Sequence, residues 1–156
     1  MGLNRANVNY YLENQIPGDN GRLTGKVFED EITLTTAEIL AIFTTPKELV
    51  AAPGANKVLQ FMGGAAFLDF NSIAYTTYGI VTVKYTDGSG TAVSEPVAAD
   101  KLVQSADDVI AEVCQLSADA ELTQNAALVL ACDTGNPLAG DSPIRFKIFY
   151  RILDFS

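Results

Sequence analysis

From Ile144 to Leu153 the chain repeats with a period of two. Ile144, Phe146, Ile148, Tyr150 and Ile152 alternate with Arg145, Lys147, Phe149, Arg151 and Leu153. A helix, with its period of 3.6, would scatter the first set around its circumference, whereas a strand puts all five on one face. The stretch therefore predicts a strand with one core face. Phe149 and Leu153 on the other face predict burial on both sides toward its end. A second region organises the middle of the chain, Pro53–Asp87. It predicts one strand over Lys57–Phe61, continuing through Gly63-Gly64 toward Phe70. A second strand is predicted over Tyr78–Thr86, with Val81, Val83 and Tyr85 facing one way and Thr82, Lys84 and Thr86 the other. Paired as a central hairpin, the two would form the middle of a β-sandwich. The glycine pair inside an apolar run predicts a bulge or bend.

The remaining segments fit the same class. Glu31–Leu34 is a short strand running into TTAEILAIF, where Thr35 and Glu38 have the spacing of a capping box and Ile39, Leu40 and Phe43 share a helical face. Thr44, Thr45 and Pro46 end that helix, and Glu48–Ala52 is a further strand stopped by Pro53-Gly54. After the Asp87–Gly90 turn, Thr91–Ala98 contains Pro96 and is at best an edge strand. Ala99–Gln104 has room for one helical turn. Asp107–Leu116 fits helix or strand, and its place among strands favours strand. Asn125–Asp133 is a buried strand. Seven or eight strands without β–α alternation indicate an all-β, antiparallel β-sandwich, jelly-roll-like, with one or two short helices. This domain spans 30–156. Residues 1–29 have no persistent period, but Tyr10, Tyr11, Leu12, Ile16 and Val27 make them too apolar for a purely solvated tail. They are read as an extended N-terminal arm, with a disordered terminus and a segment that orders against a neighbour both left open.

With 48% hydrophobic and 19% charged residues, the 156-residue chain is a folded protein with room for a core. No apolar run approaches membrane-spanning length, and the N-terminus has neither a signal-peptide core nor a myristoylation pattern, so the expected compartment is the cytoplasm of the producing cell. The net charge of −9 argues against nucleic acid as a partner. The densest basic stretch, Arg145, Lys147 and Arg151, reads as a solvated or subunit-facing strand face. Two cysteines, Cys114 and Cys132, lie far apart and are read as small buried hydrophobes, a single bridge between them remaining open.

Catalytic constellations are scarce. With no histidine in the sequence, a Ser-His-Asp or Cys-His site is impossible. No phosphate-binding glycine motif is present, two isolated cysteines do not supply a zinc set, and no metal or cofactor is expected. Leu128–Gly135, LVLACDTG, resembles the active-site segment of aspartic proteases, which need two such aspartates sharing a proton. Only one copy exists, and the residues after Gly135 are spent on a loop and a strand, so Asp133 is read as part of a strand-ending turn. Asp107-Asp108 and Asp119/Glu121 offer oxygen ligands for calcium without the EF-hand pattern, and together with Asp19 and Asp141 they read as solvated carboxylates.

The order of segments is similar to that of tailed-bacteriophage capsid decoration or cement proteins. The resemblance is carried by TLTTAEILAIFTTPKELVAAPGANKVLQF, AYTTYGIVTVKYTDG and NAALVLACDTGNPLAGDSPIRFKIFYRIL, and covers about residues 32–153. It implies a non-enzymatic jelly-roll subunit of the virion, assembled in the host cytoplasm. Its partners would be the major capsid protein and further copies of itself, as a dimer or trimer, with no membrane involved. Tyr10, Tyr11, Tyr75 and Tyr78 are the candidate partner contacts, because tyrosine offers contact area at small entropic cost. The alternative is a head- or tail-fibre module binding carbohydrate or a host receptor, for which Tyr75–Tyr78 beside Asp69 and Asn71 is the qualifying cluster.

Overall fold

The computed structural model describes residues 26–117 and 121–156. Seven strands form two antiparallel sheets. The first contains β1 (Phe28–Leu34), β7 (Ile144–Asp154), β3 (Lys57–Leu68) and β5 (Val109–Val113), in that spatial order. The second contains β2 (Lys47–Val50), β6 (Leu128–Cys132) and β4 (Val81–Tyr85). The segment Ala92–Val97 bridges the outer edge of β4, with Val93 N–H donating to Val83 O at 2.9 Å and the Val97 and Val81 amides exchanging bonds at 2.9 and 3.2 Å. With that segment counted as a strand, the two orders become 1-8-3-6 and 2-7-4-5, the double Greek key of a jelly roll.

The final strand behaves as its alternation requires. Ile144, Phe146, Ile148 and Tyr150 face inward and are buried, and β7 pairs with β1 on one side and β3 on the other. Val81, Val83 and Tyr85 likewise face the core from β4, while all five residues of β6 are buried. The Tyr85 hydroxyl reaches across the sandwich to donate to the Leu59 carbonyl, tying the two sheets together. The register between β3 and β7 shifts at Phe61/Gly63, so the glycine pair does form a bulge. Next to it the backbones are in close approach: a Cβ on Gly64 would lie 2.6 Å from the Lys147 carbonyl oxygen.

The predicted central hairpin is not formed. β3 pairs with β7 and β5, β4 pairs with β6, and the two lie in different sheets. Twelve residues, 69–80, separate them, far more than the two to five of a tight hairpin, and they cross over one end of the sandwich instead. The capping box at the start of α1 (Thr36–Ile39) is present as expected, with the Glu38 carboxylate accepting from Thr35 N–H at 2.8 Å. Beyond it the bonds tighten to the i→i+3 type, Ala41 to Glu38 and Ile42 to Ile39. That turns Ile42 into the core and leaves Phe43, expected there, 44% exposed. The expected turn after Ala98 is a 3₁₀ turn, Ala99–Lys101. Both cysteines are free, Cys132 buried but Cys114 exposed, because Cys114 follows the outward phase of β5. Strand β1 takes in Phe28 and Glu29, opposite Tyr150 and Phe149, two residues assigned to the arm from sequence.

The Gly64→Ala variant is expected to lose about 2 kcal/mol, because the new methyl meets backbone and the ladder has to shift. Urea unfolding should show a lower midpoint with an unchanged slope.

Candidate interaction surface

Four connections meet at one end of the sandwich: 35–46, 69–80, 98–108 and 133–143. Two of them carry on the β4–β6 ladder past its last pair, Val81 with Cys132. Asp133 N–H donates to Ile80 O at 3.0 Å, Thr76 and Leu138 exchange amide bonds at 2.8 and 3.0 Å, and Asp141 N–H donates to Ile73 O at 3.2 Å. Residues 73–80 and 133–141 thus form an irregular antiparallel ribbon that folds over the end. Two glycines seat two tyrosine rings along it. A Cβ on Gly140 would lie 2.3 Å from the Tyr75 ring, and one on Gly135 would lie 2.5 Å from the Tyr78 ring. Gly140 also has φ of 88°, a conformation glycine adopts without steric cost.

The ribbon is clamped at its tip by Asp141. Its carboxylate accepts from Ser72 Oγ at 2.6 Å, Ser72 N–H at 3.1 Å, Ile73 N–H at 2.9 Å and Asn71 Nδ2 at 2.9 Å. The Ser72 hydroxyl, then the Ile73 amide, hold the Asp141 carboxyl down at about 2. Asp141 is therefore a structural clamp, not the solvated carboxylate expected from sequence. On the other side, Asn136 Oδ1 accepts from Phe43 N–H at 2.9 Å and Thr44 N–H at 3.3 Å, tying the ribbon to the turn after α1. Gln104 Nε2 donates to Tyr78 O at 3.0 Å from the connection on the opposite flank.

The sequence-predicted contact residues separate. Tyr75 is only 1% exposed and its hydroxyl donates to Ser142 O at 2.6 Å, so within this chain it is a core residue and cannot present its ring to a partner. Burial raises its pKa above the usual phenol value. Tyr78 is 40% exposed and stands on the surface. Tyr10 and Tyr11 lie outside the described residues. With Tyr75 buried and Asn71 donating to Asp141, the cluster suited to a sugar is not assembled as an open aromatic platform. Sequence reasoning missed Ile73, Ile80 and Leu138, which flank Tyr78 on the ribbon with exposures of 54%, 38% and 55%. Their only sequence signal is apolar character inside turn-rich loops.

The other candidates resolve into local structure. Both oxygens of Asp133 are taken, one by Lys84 Nζ at 2.8 Å and one by Thr82 Oγ1 at 2.7 Å, which gives the aspartate of LVLACDTG a structural role. Asp108 accepts from Phe70 N–H at 2.9 Å, and Asp119 lies outside the described residues. Lys147 pairs with Glu29 and Glu31, and the Arg145 guanidinium lies over the Phe67 ring at 4.8 Å, so the basic face of β7 is largely neutralised or stacked. The four connections at the ribbon end hold seven carboxylates, of which Glu38, Asp100 and Asp133 pair with Lys47, Lys101 and Lys84, so a moderate excess of negative charge surrounds the exposed apolar residues. Among the described residues no group of metal-ligating side chains comes together, and no helix is long and apolar enough to cross a membrane.

No family model and no curated protein matches the sequence. Among solved structures, the chain is similar to one from the "Cyanophage Pam1 capsid asymmetric unit". The identity is 16%, the TM-score is 0.45, and 88% of this chain and 92% of that chain are covered. A likeness this loose assigns neither a family nor a role.

A depressed carboxylate pKa stabilises the fold above the unfolded value and loses that contribution as pH falls toward the folded one. For Asp141 the window runs from about 4 down to about 2, and Glu38, held at about 2 by the Lys47 ammonium and the Thr35 amide, shares it. The Asp141→Asn variant should be less stable at pH 7. Its thermal midpoint should then fall less steeply than wild type between pH 4 and pH 2, the remaining slope belonging to Glu38 and to Asp87 and Glu95, which serine hydrogen bonds also hold below the usual carboxylate range.

Proposed function

We propose that the protein is a structural virion component that decorates or cements a tailed-bacteriophage capsid, working by adhesion between protein surfaces. The reading rests on the sequence resemblance over residues 32–153 and on a fold suited to it. One observation supports adhesion above the rest: Ile73, Tyr78, Ile80 and Leu138 are held out to solvent on a ribbon whose backbone is locked by Asp141, Asn136 and two glycine seats. Exposed apolar side chains on a pre-organised backbone lose little entropy on docking, which is what a contact surface requires. In this reading the ribbon end faces the major capsid protein, and the protein acts as a homo-oligomer.

Burying Ile73 and Leu138, each about half exposed, at an interface is worth about 2 kcal/mol together, or roughly 30-fold in affinity. The double variant Ile73→Asp/Leu138→Asp is expected to lose at least that much binding to undecorated capsids of the parent phage in co-sedimentation. Its circular dichroism and thermal midpoint should stay near wild type, since neither side chain is in the core. Undiminished binding of the double variant would remove the ribbon from the interface. Failure of the wild-type protein to bind capsids at all would remove the decoration role.

A further inference from the structure

The edges of the two sheets are guarded unequally. Edge strand β1 carries Glu29, Asp30 and Glu31, with Asp30 on the inward-facing phase. β2 is four residues long and its pairing with β6 is interrupted by a register shift. The outer edge of β4 is covered by Ala92–Val97. Charged, short, bulged or covered edges are the usual protection against strand addition. β5, Val109–Val113, has little of it along its own length, although Ser94 bridges Gln115 just beyond its end. It ends the order β1-β7-β3-β5, its one charge is Glu112, and its outward Ile110 is 73% exposed.

Beside that edge runs an open slot of about 490 Å³, with Pro96, Val97 and Ala98 on one wall and Val109, Ile110 and Ala111 on the other. The two rims already meet at one end of the slot, where Glu95 N–H donates to Cys114 O and Leu116 N–H donates to Val93 O, each at 3.0 Å, so an extended segment entering from the other end would pair with β5 along Val109–Val113 and complete the closure. Glu95 and Glu112 also border the slot, against one lysine, Lys101. An occupant should therefore be extended, apolar on alternate residues and free of carboxylates.

We propose that the slot receives Val8–Leu12 from a neighbouring copy of this chain, adding a strand to β5. In that segment Val8, Tyr10 and Leu12 alternate with Asn9 and Tyr11, and residues 1–12 contain Arg5 and no carboxylate in a chain of net charge −9. Twenty-five residues precede Lys26, enough when extended to span roughly 80 Å. β1, to which they lead, lies at the opposite edge of the same sheet from β5. Donor and acceptor on opposite edges make a head-to-tail contact, which closes into a ring when the rotation allows. Within one chain the segment would instead have to cross the outer face of the sheet, where Arg145, Lys147 and Phe67 stand. The inference needs no capsid and is independent of the decoration role. It gives Tyr10 and Tyr11 a partner.

The exposed Cys114, which lines the slot where its two walls join, serves as a reporter. Single substitutions Asn7→Cys, Asn9→Cys and Tyr11→Cys in the full chain are oxidised gently and run on non-reducing gels. At least one should give an interchain disulfide that disappears with Cys114→Ser and falls at least tenfold with Ile110→Lys, which places a guarding charge on an exposed position. In parallel, a C-terminally amidated peptide of residues 3–12 should bind the protein lacking residues 1–25, and bind its Ile110→Lys form at least tenfold more weakly. An intrachain disulfide would overturn the exchange between copies. The absence of any Cys114-dependent link, or a peptide indifferent to Ile110→Lys, would overturn the site.

Discussion

Strand β7 is the contact on which both layers depend. Among the described residues it is the last strand in sequence, yet it lies between β1, the first, and β3, with Ile144, Phe146, Ile148 and Tyr150 forming the inner surface against which the other sheet packs. None of its partners is local. The sheet can exist in its observed order only after the two ends of the chain have met, which places the entropy of long-loop closure early in folding. Close approach of β3 and β7 next to the bulge then depends on the missing side chain of Gly64, where the Lys147 carbonyl comes within 2.6 Å of where a Cβ would stand.

The ribbon over one end follows from that arrangement. Because consecutive strands pass between sheets, long connections must cross the sandwich end, and polar backbone crossing an apolar core has to find partners. Here two of the four cross-end connections satisfy each other, through Thr76 with Leu138 and Ile73 with Asp141. The Asp141 carboxylate takes up the amides that the turn at Asn71–Ile73 leaves over. The same solution leaves Ile73, Ile80 and Leu138 on the outside, since a two-stranded ribbon has only one face to give to the core.

Periodicity made much of the fold legible in advance. The alternation over Ile144–Leu153 and Val81–Tyr85 reported which side chains face the core, and Thr35 with Glu38 marked the start of α1 at the residue where it begins. Alternation is a property of one strand, however, and carries no information about which strand lies beside it, so β3 and β4 read as a hairpin although their partners are β7 and β6. Phe43 was misplaced because a helical period was extended across a turn that tightens after Ile39. The candidate surface was the least legible part. Tyr75 and Tyr78 have the same residue type in the same loop, yet the fold buries one, with its hydroxyl on Ser142 O, and leaves the other exposed, a difference that no local pattern carries. Asp141 likewise becomes a clamp only when residues about seventy positions apart are brought together.

The open rim at β5 has a consequence for the protein as a population of molecules. A strand edge with exposed Ile110 and little charge is a template for unplanned growth as much as for assembly, and in a crowded pool the two outcomes compete for the same backbone groups. On the proposed strand addition, an occupant of that rim removes those backbone groups from unplanned pairing. A segment carried on every copy would always be present at the concentration of the hazard it blocks.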